Sequence, residues 1–202
     1  MKNKLFTTKQ ITSISILAVI SAILLILNFP LFFFPSFYKI DFGEVPRLIC
    51  GFAIGPFAGI FCTIISIILN IIFEGGSETA FVGELAALLI SIAFVLTSSL
   101  IYRNNHTKKG AIISLIVGTL VTGVASVFVN YFILIPMYET MMNIPLDAII
   151  KMASNFIPII NSKFTLVLLC TLPFNILKAF INSLIIILIY KRISPLLKEN
   201  KA

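Results

Sequence analysis

Apolar residues run through this chain in long blocks, each ended by a short cluster of turn-forming or charged residues, and the blocks are what predict its elements. The first block, Gln10 to Asn28, predicts a helix that ends at Asn28-Phe29-Pro30. An aromatic loop from Pro30 to Gly43, broken by Pro30 and Pro35, leads to a short second block, Glu44 to Ile54, which Gly55-Pro56 turns. A third helix is expected over Phe57 to Phe73, stopping at Glu74-Gly75-Gly76-Ser77, and a fourth over Ala80 to Tyr102, stopping at Arg103-Asn104-Asn105-His106. The fifth covers Ala111 to about Ile135 and closes at Pro136; the sixth runs from about Leu172 to Tyr190 and stops at Lys191-Arg192. A helix needs about 20 apolar residues to cross a bilayer, so the second block is expected to be tilted, partly exposed or capped by the loop before it.

Composition makes the solvent of these helices lipid. Of 202 residues, 59% are hydrophobic and 11% charged, with a mean hydropathy of +1.09, against about 45–50% and about 25% in soluble domains. The expected fold class is therefore all-α: an integral membrane bundle of six transmembrane helices forming one membrane-embedded domain over residues 1–202. The N-terminal block is longer than the apolar core of a signal peptide, about 7–15 residues, and no A-x-A-like cleavage site follows it, so it reads as a retained first span.

Charge then gives the bundle a direction. The net charge is +7, and ten of the fifteen cationic residues collect on one side of a six-span arrangement. These are Lys2, Lys4 and Lys9, then Arg103, Lys108 and Lys109 between spans four and five, and Lys191, Arg192, Lys198 and Lys201 at the C-terminus. The opposite loops hold only Lys39, Lys151 and Lys163, so the positive-inside rule predicts both termini in the cytoplasm. On the outer side, Asp147, Lys151 and Asn155 recur every four residues, which predicts an interfacial helix or one folded over the bundle.

Polar groups inside a bilayer are costly and usually face a bundle interior or cavity. Here they are Glu44 and Arg47 in span two, Asn70 in span three, Glu84 in span four, Asn130 in span five, and Asn175, Lys178 and Asn182 in span six. Asn70, Glu84, Asn130, Asn175 and Lys178 fall in the outer half, and the i, i+3 spacing of Asn175 and Lys178 puts both on one helix face. Such convergence beneath an aromatic loop predicts a ligand pocket open to the outside. The alternative is internal pairing, Glu84 with Lys178 or Glu44 with Arg47, and amide contacts that join helices. Cys50, Cys62 and Cys170 lack metal-ligand spacing and read as buried thiols. The lone His106, in a basic loop, cannot complete an HExxH motif or a histidine-dependent protease dyad, and no Walker A sequence is present, so no enzyme activity is expected.

Several of these residues lie in recognisable stretches: Asp41-Phe42-Gly43-Glu44-Val45-Pro46, Gly51-Phe52-Ala53-Ile54-Gly55-Pro56-Phe57-Ala58-Gly59, Val82-Gly83-Glu84-Leu85-Ala86, Asn130 to Tyr138, and Pro173-Phe174-Asn175-Ile176-Leu177-Lys178. With them the chain resembles an S component, the substrate-binding subunit, of an energy-coupling factor (ECF) vitamin transporter of the riboflavin type. The resemblance implies riboflavin as transported ligand and no cofactor. It implies partners, too: a transmembrane coupling protein and two ATPase subunits. It implies that Asn130, Asn175 and Lys178 hydrogen-bond the flavin, with Asn70 and Glu84 at the same site and Asp41 and Phe42 ending the loop that covers it. A small-xxx-small stretch on span one, matched by Ala18 and Ala22, would dock on the coupling protein. Departures occur at Ser66 and Ile67, where riboflavin-type members often carry Lys-Asn, and at Ala87, where an asparagine follows Glu-Leu-Ala. They leave open an S component for another vitamin or precursor, or a non-transporting scaffold.

Overall fold

In a computed structural model, residues 5–199 are described apart from Ser36 and Glu78, with side chains described to Arg192. Lys2, Lys4, Lys201 and the side chain of Lys198, which enter the charge pattern, lie outside the described residues. Helix α1 (Thr8–Ile26) starts at a capping box, Thr7 and Gln10 each accepting the other's backbone N–H. A two-stranded antiparallel ribbon, β1 (Phe29–Pro30) with β2 (Lys39–Ile40), closes the aromatic loop at its base. Then follow α2 (Glu44–Ala53), α3 (Pro56–Phe73), α4 (Val82–Asn104) and α5 (Lys108–Val129). The remainder comprises α6 (Ile135–Met141), α7 (Leu146–Ser154), α8 (Lys163–Leu166) and α9 (Leu172–Glu199).

Two of the expected helix ends move. The fifth helix does not close at Pro136, and the sixth begins at Lys163 rather than near Leu172, because each proline is absorbed by a π-helical turn. A proline in an α-helix lacks its N–H and its ring strikes the carbonyl four residues back. Here Asn130–Leu134 and Val167–Thr171 widen the helix just ahead of it, and the residue before each proline bonds five positions back: Ile135 to the Asn130 carbonyl, Leu172 to that of Val167. The chain therefore continues as helix over Lys108–Met141 and over Lys163–Arg192. Single π turns of this kind concentrate at functional sites.

Among the described residues, five helices are long and apolar enough to cross a membrane: α1, α3, α4, the α5–α6 unit and the α8–α9 unit; α2, the second of the six expected spans, is not one of them. Their outward faces are apolar, with Ile16, Phe57, Ile72, Ile116, Phe128 and Leu188 each more than half exposed, as lipid requires. The ten residues of α2 rise only about 15 Å, half of the roughly 30 Å hydrocarbon core. Just before α2 the Gly43 carbonyl already lies beside α1, accepting from Ser21 Oγ at 2.8 Å. From there α2 descends along α1 until Cys50 packs with Ile14, Ala18, Ala58 and Cys62. At that end a recess of about 450 Å³ gathers Leu5, Phe6, Ile54, Pro56, Arg103 and His106.

Gly55, at φ 134°, makes the reversal between α2 and α3 in a conformation L side chains rarely adopt. Just beyond it, Gly51 and Gly59 let the two backbones touch. A Cβ on Gly59 would sit 3.0 Å from the Gly51 Cα and 2.6 Å from Val95 Cγ1. Gly59→Leu is therefore expected to force α2, α3 and α4 apart and cost about 1–3 kcal/mol, read as a lower melting temperature in detergent. An unchanged melt would show that this crossing is not close-packed.

The end of the bundle that carries the aromatic loop is roofed by α7. Ile149 and Ala153 turn inward and pack with Tyr38, Ile40, Ile135 and Leu166, while Asp147, Lys151 and Asn155 face outward. The polar stripe is thus the exposed side of a helix folded over the bundle.

Candidate functional site

Beneath the aromatic loop and α7 lies a cavity of about 230 Å³, several times the roughly 30 Å³ share of one water molecule. Its roof is Phe37, Tyr38 and Lys39; Ala86, Ala87, Ile90, Ser91 and Phe94 of α4 form one wall, and Phe174, Asn175 and Lys178 of α9 face them. Aromatic packing sets the roof in place: the ring centroids of Tyr38 and Phe174 are 4.7 Å apart, and those of Phe34 and Phe174 5.4 Å. Tyr38 also bonds the Thr171 hydroxyl at 2.6 Å, and burial raises its phenol pKa above the usual tyrosine value.

Two amides arrive here, Asn130 opening the first π turn and Asn175 in α9, four residues past the end of the second. Asn130, 5% exposed, donates Nδ2 to the Ser126 carbonyl at 2.8 Å, and Asn175 donates Nδ2 to that of Thr171 at 2.9 Å. A carbonyl can only accept, which assigns nitrogen to that side of each amide and leaves Oδ1 as an acceptor.

Lys178 reaches the same cavity, but its ammonium is paired with Asp41 Oδ2 at 2.5 Å, not with Glu84. Asp41 is also bonded by Gly43 N–H at 3.0 Å, and its backbone carbonyl accepts from Asn182 Nδ2 at 3.1 Å. The end of the aromatic loop is thereby latched to α9. Glu84 instead accepts from Thr79 Oγ1 at 2.6 Å.

The sequence-predicted residues divide between two adjoining recesses. Asn130, Asn175 and Lys178 line the first. Asp41, Asn70 and Glu84 line the second, about 560 Å³, which shares Lys39, Gly83 and Ala87 with the first. Phe42 lines neither; its ring leans on Phe29 with centroids 6.1 Å apart. Ala18 and Ala22 are both fully buried, so within this chain their small size serves the approach of α1 to its neighbours. The surface of α1 is instead supplied by Ile16, Val19, Ile20 and Ile23.

A buried ionic clamp supports the cavity from below. Arg47, 1% exposed, bonds Glu44 Oε1 at 3.0 Å through Nη1, and its Nε reaches Ser21 of α1 at 3.0 Å and Ser66 of α3 at 2.9 Å. Ser91 of α4 accepts from Nη1 at 2.9 Å and donates to Glu44 Oε1. Four helices meet on one guanidinium, as its rigid fork of donors permits. Sequence reasoning foresaw the Glu44–Arg47 pair as an alternative and named Ser66 only as a departure from the family pattern; it missed Ser21, Ser91 and the cavity residues Tyr38, Thr122 and Thr171. Single hydroxyls are too common in apolar helices to signal a site.

The family model for the ECF transporter substrate-specific component matches residues 9–190. The chain belongs to that family. As an S component it is a multi-pass membrane protein and a binding subunit rather than an enzyme. It is 34% identical over 191 residues to the riboflavin transporter RibU of Staphylococcus aureus (strain TCH60), covering 95% of this chain and 93% of that one. Identity is 28% over 196 residues to the riboflavin transporter FmnP of Bacillus subtilis (strain 168), covering 96% of each. The fold matches the solved structure described as the S component of a bacterial ECF transporter with a TM-score of 0.71 and 31% identity, covering 95% of this chain and 98% of that one.

Proposed function

We propose that this S component captures riboflavin from outside the cell in the cavity beneath the aromatic loop. The observation that carries the reading is the convergence of Asn130, Asn175 and Lys178 on one cavity whose wall is mostly aromatic and aliphatic, with Lys39, Glu44, Ser91, Thr122 and Thr171 as its other polar residues. Riboflavin is uncharged and planar, so apolar faces with a few fixed polar groups suit it. The naming of full-length relatives as riboflavin transporters supports the same substrate. Asn70, Glu84 and Asp41, in the adjoining recess, would meet the ligand's outer end, and Phe42 would brace the loop that covers it.

Transport would require a transmembrane coupling protein and two ATPase subunits, since no P-loop is present to hydrolyse ATP. Docking by α1 is retained in this reading, with Ala18 and Ala22 setting the helix position from within. Loop and α2 together would make a sixth crossing, which returns the chain to the side of Leu5 and Phe6 and places both termini in the cytoplasm. The clustering of Arg103, Lys108, Lys109, Lys191 and Arg192 supports that orientation.

Expressed with riboflavin in the medium and purified in detergent, the chain is expected to carry a yellow chromophore with a flavin absorption spectrum. A colourless protein that also fails to quench added riboflavin would remove the substrate assignment and leave S components for other vitamins, separable by thermal-shift screening.

A further inference from the structure

Each donor atom that reaches the cavity from the asparagines, Thr122 and Lys178 already has one protein acceptor. The amides of Asn130 and Asn175 are on backbone carbonyls, the Thr122 hydroxyl bonds the Gly118 carbonyl at 2.7 Å, and Lys178 is on Asp41. Among the described residues that line the cavity, the buried polar atom without any partner is an acceptor. Glu44 lines the cavity with its carboxylate 6% exposed, and only Oε1 is engaged, by Arg47 and Ser91. Its second oxygen, Oε2, is buried and has no hydrogen-bond partner among the described residues. A carboxylate oxygen withheld from both water and protein donors is unfavourable, and the wall around it is held by four helices, so it cannot easily turn away to solvent.

We propose that Glu44 is a ligand-binding residue that sets specificity: Arg47 and Ser91 hold Oε1, and Oε2 accepts a hydrogen bond from an N–H or O–H of the ligand. Arg47 is then a positioning residue, acting through Glu44. The ligand class follows from the chemistry, an uncharged molecule with a donor at that end. Phosphate or carboxylate there would meet a second negative charge. This inference rests on the flavin reading, in which the candidate donors are the imide N–H of the ring and the ribityl hydroxyls.

Flavin fluorescence quenching by the purified full chain tests it. Glu44→Gln keeps its carbonyl oxygen on Arg47 and Ser91 and turns an NH2 group to the cavity, donor against donor. Riboflavin affinity is expected to fall about tenfold or more. The loss is expected to vanish for one of two analogues: N3-methylriboflavin, which lacks the imide N–H, or lumiflavin, which lacks the ribityl hydroxyls. Whichever analogue is insensitive identifies the donor, whereas a merely structural role would weaken all three ligands alike. Glu44→Asp, which keeps the charge for Arg47 but withdraws the oxygens, serves where the glutamine variant does not fold. A folded variant that binds riboflavin within about twofold of wild type, or an equal loss for every ligand, overturns the proposal while leaving the flavin reading intact. A wild-type chain that binds no flavin overturns both.

Discussion

Arg47→Ala is expected to destabilise the folded chain by about 3–5 kcal/mol, because it strands Glu44 as a buried charge without its partner. The guanidinium is 1% exposed and is the one group that touches Ser21, Glu44, Ser66 and Ser91 together, on α1, α2, α3 and α4. Its loss therefore removes both a neutralising charge and the connection between helices. Thermal unfolding in detergent, followed by tryptophan-independent far-UV circular dichroism, measures the effect; the chain contains no tryptophan. The double variant Glu44→Leu/Arg47→Met is expected to recover most of the stability, since two apolar residues of similar volume avoid the desolvation of both ions. If Arg47→Ala melts with the wild type, the clamp contributes nothing to the fold. If the double variant melts as low as the single one, packing rather than charge explains the loss.

The bundle was legible in the sequence because its signals are additive along the chain: apolar block length, turn residues and cation placement all refer to the same helices. The two inner prolines were not legible as helix interiors. Pro136 and Pro173 carry the usual signature of a helix end, and only the paired π turns at Asn130–Leu134 and Val167–Thr171 show how the chain continues through them. For the site, depth was readable but partnership was not. Lys178 and Glu84 share a level, yet Lys178 pairs with Asp41, distant in sequence and brought close by the descent of the aromatic loop. The same limit applies to the departures at span three. Ser66 donates nothing to the cavity: its hydroxyl is taken by Arg47 and the Thr63 carbonyl, while Ile67 is buried and lines neither recess. Only Ala87 among the departures lines the cavity, so the family pattern is altered at the site in one place.

Asn130→Ala and Asn175→Ala are each expected to weaken riboflavin binding by about tenfold or more, and together by roughly a hundredfold or more, at about 1–3 kcal/mol per lost hydrogen bond. The reason lies in how each amide is divided. Nδ2 is occupied by the carbonyl four residues earlier, so Oδ1 is held at a fixed angle and needs no reorganisation to meet a ligand donor. Alanine removes that acceptor and also the side-chain bond to the Ser126 or Thr171 carbonyl, so some loss of stability accompanies the loss of affinity. Asn182→Ala separates the two effects. Asn182 is fully buried on the same helix as Asn175, bonds the Asp41 and Lys178 carbonyls, and lines neither recess. Its removal is expected to lower the melting temperature at least as much as Asn175→Ala does, with the smaller change in riboflavin affinity. Quenching titrations and melts on the same preparations give both numbers. Should Asn182→Ala weaken binding more than Asn130→Ala or Asn175→Ala, the ligand would be held chiefly by the loop latched to α9, and the amides of Asn130 and Asn175 would be structural.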